Sequence, residues 1–307
     1  MRNHRLIAAL AALIFCVSTA AAGLADGELT GLLDGLKALA FETHNVTIEG
    51  EAAFTRDGVR FKTAQIQYIQ DGDNSSYQLR LFTPLDPVST DADVETGWLI
   101  IANDEHIYVM EAYYPGTYRE GTDGSQNTLL RRTAKTDAMF SLAESLLGIL
   151  ETTLPDGAVT VEQSAEGTAT QILLTKNDAP AILNSGLTLA AQYFASRYFS
   201  VEEDRELIDM LYEDYTTTTE LVLNTALSYQ LYSLLLTVTT DSDGQITGCI
   251  GNAEVAATLY RGEVMNIGVQ FSFTVSGRGE SHVDTFDADA LEVIPFTEWW
   301  NNNRRAW

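Results

Sequence analysis

The stretch Met265-Asn-Ile-Gly-Val-Gln-Phe-Ser-Phe-Thr-Val-Ser276 decides the fold. Met265, Ile267, Val269, Phe271, Phe273 and Val275 alternate without a break with Asn266, Gly268, Gln270, Ser272, Thr274 and Ser276. A period of two places all the apolar side chains on one face of a β-strand and the small polar ones on the other. At about 3.4 Å per residue such a strand runs roughly 40 Å, against a usual length of about 5–6 residues. Strands of that length belong to strongly twisted or curled sheets. The apolar face must be covered by helices, by a second sheet or by a ligand.

Working outward, the rest of the chain supplies the strands and helices such a sheet needs. Leu29, Leu32, Leu33, Leu36, Leu39 and Ala40 fall at helical spacing and predict an amphipathic first helix on the sheet's apolar face. Asn45 to Phe54 and Val59 to Gln70 read as a hairpin around Arg56-Asp57-Gly58. Asp71-Gly72-Asp73-Asn74 turns the chain into a third strand that stops at Pro84, and Asp86 to Glu95 reads as a loop. Trp98 to Ala102 and Ile107 to Ala112 form a further hairpin, apolar on nearly every residue, as expected of strands covered on both sides or lining an apolar interior. Tyr113 to Arg132 reads as a long loop.

Helical signals dominate the middle. Met139, Phe140, Ala143, Leu146, Leu147 and Leu150 form one stripe, and Leu183, Leu187, Ala190, Ala191, Phe194 and Tyr198 form another, begun by Asp178 and Pro180. Between them, Val159 to Val161 and Gln171 to Thr175 make a short hairpin. Ser200 with Glu203, and Thr217 with Glu220, have capping-box spacing, the second opening a helix over Leu221 to Tyr232. Strands return at Leu234 to Thr240, Gln245 to Ile250 and Ala253 to Tyr260, and Ser281 to Phe286 adds a short last one.

The N-terminus points to export. Arg2 and Arg5 precede the apolar run Leu6 to Val17, which is shorter than the about 20 residues that span a bilayer. Ala20, Ala21 and Ala22 then give the small residues of a signal-peptidase site, so residues 1–22 are expected to be a signal peptide and the protein extracytoplasmic, secreted or periplasmic. Phe15 stands before Cys16, where a lipoprotein needs a small residue. Residues 23–298 are expected to form a single domain, followed by a Trp-rich tail over 299–307.

The formal charge is −25, and removing Arg2 and Arg5 with no acid makes it −27. Such a chain has no electrostatic route to nucleic acid and is repelled by anionic headgroups. Cleavage leaves Cys249 as the one cysteine, so no internal disulfide can form and a buried, inert thiol is expected. About 285 residues rich in apolar side chains must hold the fold through a core of their own.

No catalytic signature stands out. His44, His106 and His282 each lie alone at a strand edge or turn, without a second ligand at helical spacing, so no metal and no cofactor are expected. Asp241-x-Asp243-Gly244 and Asp71-x-Asp73 resemble the start of a calcium loop but lack its closing glutamate, and hairpin turns account for both. Glu202, Glu203, Asp204 and Glu206 are an acidic first helical turn. There is no G-x-S-x-G, phosphate loop or H-E-x-x-H, and a non-enzymatic protein is expected. Asn45-Val-Thr47 and Asn74-Ser-Ser76 are glycosylation acceptors in a host that glycosylates.

The block Gly97-Trp-Leu-Ile-Ile-Ala-Asn-Asp-Glu-His-Ile-Tyr-Val-Met-Glu111 resembles a hairpin of the bacterial periplasmic lipoprotein carriers of the LolA type. Phe271-Ser-Phe-Thr-Val-Ser-Gly-Arg-Gly-Glu-Ser-His-Val-Asp284 resembles the closing strands of the related mycobacterial lipid-binding lipoproteins. The resemblance implies a curled, half-barrel-like antiparallel sheet whose concave face is plugged by helices, with an apolar cavity for acyl chains. The expectation is therefore an α+β protein with a curled antiparallel β-sheet packed against several α-helices. Its expected role is to bind an apolar or acylated ligand, with Trp98, Ile100, Ile107, Val109, Phe271 and Phe273 lining the cavity. The alternative is an exported interaction or sensor module with a filled core. Expected partners are a lipid or acylated ligand and another exported or membrane-anchored protein, met by a monomer.

Overall fold

The computed structural model describes residues 28–84, 93–102, 107–111, 117–121, parts of 132–145, 154–179, parts of 181–188, 226–259, 262–283 and 292–295. The predicted signal peptide, the predicted acidic helical turn and the predicted Trp-rich tail lie outside them. One helix, α1 (Glu28–Phe41), precedes twelve strands. These are β1 (Asn45–Arg56), β2 (Val59–Asp71), β3 (Asn74–Pro84), β4 (Asp93–Ala102), β5 (Ile107–Glu111), β6 (Thr117–Gly121), β7 (Val159–Ser164), β8 (Gly167–Thr175), β9 (Ser228–Asp241), β10 (Ile246–Thr258), β11 (Val264–Ser276) and β12 (Glu292–Pro295). Further helical backbone lies within 134–145 and 181–188. The class is α+β and the sheet mostly antiparallel, as the sequence predicts.

The chain forms two compact units. The first takes residues 1–36, 53–61 and 137–271, and the second 37–52, 62–136 and 272–307. Helix α1 and strands β1, β2 and β11 contribute to both.

In the first unit the hydrogen-bonded order is β2-β1-β11-β10-β9-β8-β7. The deciding strand behaves as its alternation requires: Met265 and Ile267 are buried, while Val264, Asn266 and Gln270 are exposed. β8 alternates in the same way, with Ile172 and Leu174 fully buried and Gln171 and Leu173 exposed. Met265, Ile267, Tyr229, Ala226, Ala257 and Leu259 form one core cluster, against which Leu187, Val255 and Val269 pack. Helix α1 buries Leu32, Leu33 and Leu36 and comes close to the sheet at Gly35, where a Cβ would lie 3.3 Å from the Gly244 carbonyl oxygen and 3.4 Å from Ile246 Cγ1. Cys249 is buried and forms no disulfide, as expected.

Two expectations are corrected here. Residues 228–232 belong to β9, not to a helix, because Tyr229 and Leu231 fill the core on a two-residue period. Gln245 to Ile250 and Ala253 to Tyr260 are not separate strands: β10 runs through Gly251 and Asn252 in unbroken register with Leu236 and Leu235. Two register shifts accompany this pairing, one at Thr247 and one at Tyr232. The second leaves an extra residue on β9 and turns Tyr232 outward.

A helix completes the bare flank of β9. β8 ends with Thr175 opposite Ser233, so Leu231 and Tyr229 lie beyond its reach. The Leu231 amide instead donates to Asn184 Oδ1 at 2.8 Å, and the Tyr229 amide donates to Thr188 Oγ1 at 2.9 Å. Asn184 and Thr188 are four residues apart and fall on one helix face, so one turn of helix stands in for the missing strand.

In the second unit the order is β12-β6-β5-β4-β3-β2-β1-β11. All described pairings are antiparallel except β12 with β6, which is parallel. β6 lies within the predicted long loop and Asp93 to Glu95 within the predicted acidic loop, so strand pairing overrides local composition at both. Residues 281–283 are not a strand, and the last strand is β12 instead. Leu39, Ala40, Val46, Ala64 and Tyr68 are buried here, together with Phe273 and Val275.

Candidate functional site

The second unit carries the features that can meet a ligand. Register across β2, β3, β4 and β5 builds cross-strand rows: Tyr68 opposite Tyr77, Tyr77 opposite Ile100, and Ile100 opposite Val109. The next row runs from Ile66 to Leu79, Trp98 and Glu111. Ile107 pairs with Ala102. Four of the six predicted lining residues, Trp98, Ile100, Ile107 and Val109, therefore meet on β4 and β5. Ile66, Tyr77, Leu79, Leu81 and Ile100 are half-buried. The side chains of Trp98, Ile107 and Val109 lie outside the described set.

The two phenylalanines go elsewhere. Phe273 is buried in the second unit. Phe271 is half-buried in the first, where its ring lies over Gly251 so closely that a Cβ there would be 2.3 Å from it.

A cleft of about 370 Å³ opens in the second unit. Its walls are Glu49, Gly50 and Glu51 of β1, Gln65, Ile66 and Gln67 of β2, Gln78 and Arg80 of β3, and Ser272, Phe273 and Thr274 of β11. Only Ile66 and Phe273 are apolar, so the wall offers amides, carboxylates and hydroxyls rather than a slot for an acyl chain. Gln67 Nε2 donates to Glu49 Oε1 at 2.8 Å, and the Arg80 guanidinium lies 5.3 Å from the Phe82 ring centre. No histidine or cysteine lines it.

A polar clasp closes one end of the unit. Asn45 Nδ2 donates to Asp71 Oδ1 at 3.1 Å and to the Ser281 carbonyl at 2.9 Å, while Ser281 donates its amide to Asn45 Oδ1 at 2.7 Å. The Ser281 hydroxyl meets Thr47 Oγ1 at 2.7 Å and donates to the Gly277 carbonyl at 2.8 Å. His282, an exposed side chain, meets Asp71 Oδ2 at 3.0 Å, so it is not the lone histidine the sequence suggested. The juxtaposition of aspartate, histidine and serine is not a nucleophile relay, because the Ser281 hydroxyl already donates to a backbone carbonyl. Both amide protons of Asn45 are used, so a glycan on it would dismantle the clasp.

Burial tunes three groups. It raises the Tyr68 phenol, whose hydroxyl bonds Gln70, and raises Tyr229 to about 12. It lowers the Lys62 ammonium. Asp241 Oδ1 accepts the amides of Asp243 and Gln245 at 3.0 and 2.8 Å, which fixes its motif as a hairpin turn. Among the described residues no group of three or more histidine, cysteine or acidic side chains could hold a metal, and no helix is long and apolar enough to cross a membrane.

No family model matches the chain, and no curated protein matches it. Among solved structures it is similar to a LolA superfamily protein from Nitrosomonas europaea, at 9% identity over 86% of this chain and 96% of that one, with a TM-score of 0.20. It is also similar to a DUF1329 family protein from Desulfovibrio piger, at 10% identity over 87% and 100%, TM-score 0.22. A porin-like protein from Bacteroides uniformis gives 10% identity over 77% and 99%, TM-score 0.25.

Proposed function

We propose that this is an exported, non-enzymatic protein that binds an apolar or acylated ligand on the β2–β5 sheet of its second unit. The observation that supports the reading is incomplete burial. Ile66, Leu79, Leu81 and Ile100 stay half-buried, while Ile172, Leu174 and Leu236 in the first unit are fully buried. Contiguous apolar positions left partly open are where an apolar ligand gains most on leaving water. The test is native mass spectrometry of the protein as purified, followed by titration with a fluorescent fatty acid. Saturable binding that Leu79→Asp weakens tenfold or more supports the reading. The absence of both co-purified lipid and probe binding defeats it.

A second reading, an exported interaction or sensor module with a filled core, is favoured by a different observation. The about 370 Å³ cleft is polar-walled, and the first unit's core is closed around Leu183, Leu236 and Ile246. It expects no lipid at any concentration and a folding stability that acyl probes leave unchanged.

A further inference from the structure

In the first unit, the outward face of β8, β9 and β10 carries an apolar patch on an uncharged ground. Leu173 is 53% exposed, Leu235 42% and Ile250 67%. Register sets Leu173 opposite Leu235, and Leu235 opposite Asn252. In the neighbouring row Gln171 stands opposite Thr237, and Thr237 opposite Ile250. The three apolar side chains are therefore contiguous, and the positions between them are amide or hydroxyl. On β9 and β10 the acids flanking the patch stand at its two ends, Asp241 on one side and Glu254 on the other. The chain as a whole holds 43 acidic residues against 18 basic ones.

We infer that this face is a self-association surface on which a second copy of the chain docks isologously. The charge distribution selects the occupant. A basic partner is drawn to the acidic surface elsewhere, whereas an acidic molecule can approach only where carboxylates are sparse. A second copy is such a molecule, and the patch suits it: leucine and isoleucine pack on their own kind, and Gln, Thr and Asn both donate and accept. Three strands about 4.8 Å apart with about 3.4 Å rise per residue present roughly 500 Å². That is less than the about 800 Å² per partner of a standard stable interface, so the dimer is weak and reversible. The monomer expected from sequence is then the dilute end of this equilibrium.

The test is sedimentation equilibrium on the purified protein up to about 1 mM, at low and high NaCl, since screening must strengthen association between two acidic molecules. The expected result is a monomer–dimer equilibrium that tightens with salt. Leu235→Glu and Ile250→Glu should each weaken it about tenfold or more, by placing like charges face to face at the two-fold axis. Both sites are exposed, and circular dichroism checks that the fold survives. Val59→Glu, a change at an exposed apolar residue on β2 (37%), should leave it unaltered. A monomer mass throughout, or a dimer that the two patch variants do not weaken, overturns the inference.

Discussion

At the scale of single residues, the side chains along β11 are predicted to differ sharply in cost. Phe273 is 6% exposed, so Phe273→Ala should lose about 3–5 kcal/mol in chemical denaturation, the range for emptying a buried phenylalanine site. Phe271 is half-buried and should lose less, while Gln270→Ala should cost under about 0.5 kcal/mol as an exposed change. Gly50→Ala should cost about 1–3 kcal/mol, because its Cβ would lie 2.9 Å from the Ser272 carbonyl oxygen, and backbone cannot swing aside. None of this close approach was legible in the sequence. Alternation says which face Phe271 takes, but the glycine that receives its ring lies twenty residues earlier, on another strand. Tyr229 gives a pH signature. Folding holds its proton to about 12 against 10.0 in the unfolded chain, so the unfolded state binds fewer protons between those values. Stability must then be fully present below about pH 10 and fall on going to 12, by up to about 1.4 kcal/mol per unit. A thermal-denaturation series over that window should show the fall, and Tyr229→Phe should make it shallower, with the buried Tyr68 keeping its own share.

At the scale of elements, long regular strands were readable and short or interrupted ones were not. β1, β2, β3 and β11 follow from alternation and from turns with Gly58 and Gly72 at positive φ. β6 and β12 did not, because a pair of short strands draws its stability from partners distant in sequence. The start of β9 was mistaken for a helix because Thr217 and Glu220 have capping spacing and Leu221 to Tyr232 is apolar enough for either structure. Its outcome hangs on contacts that local sequence does not contain, among them Asn184. Asn184→Ala should cost about 1–3 kcal/mol, since it strands the Leu231 amide without its acceptor. Hydrogen exchange should show that amide losing protection while Leu236 keeps its own. Equal loss at both would mean that the helix does not stand in for a strand there.

At the scale of the whole molecule, charge is the property most fully legible beforehand. A formal −25 implies self-repulsion in the compact state, so the melting temperature should rise as NaCl goes from about 10 to about 300 mM and the Debye length shrinks several-fold. A flat or falling response would mean that the carboxylates are already neutralised locally. The candidate site was half legible. The sequence marked β4 and β5 as apolar on both faces, and register does bring Ile100 and Val109 together. It could not separate core wall from open wall, because the same side chains serve as both. It also gave no sign of the polar cleft, whose Gln65, Gln67, Gln78 and Arg80 look like ordinary solvent-facing positions until β1 and β11 supply the rest of the rim.

The division of the chain between the units has a consequence for the order of events in synthesis. Three of their boundaries fall inside strands, between Ala52 and Ala53 of β1, Phe61 and Lys62 of β2, and Phe271 and Ser272 of β11, and another falls inside α1, between Leu36 and Lys37. No single cut of the polypeptide releases either unit, and neither can be finished on a nascent chain that stops short of β11. Domain-by-domain folding from the N-terminus, the usual course for a chain of this size, is closed to it. The early hairpin of β1 and β2 must wait while the chain runs from Asp71 to Val264 before its neighbour β11 arrives. Neither unit reaches its final strand pairing until β11 has been made.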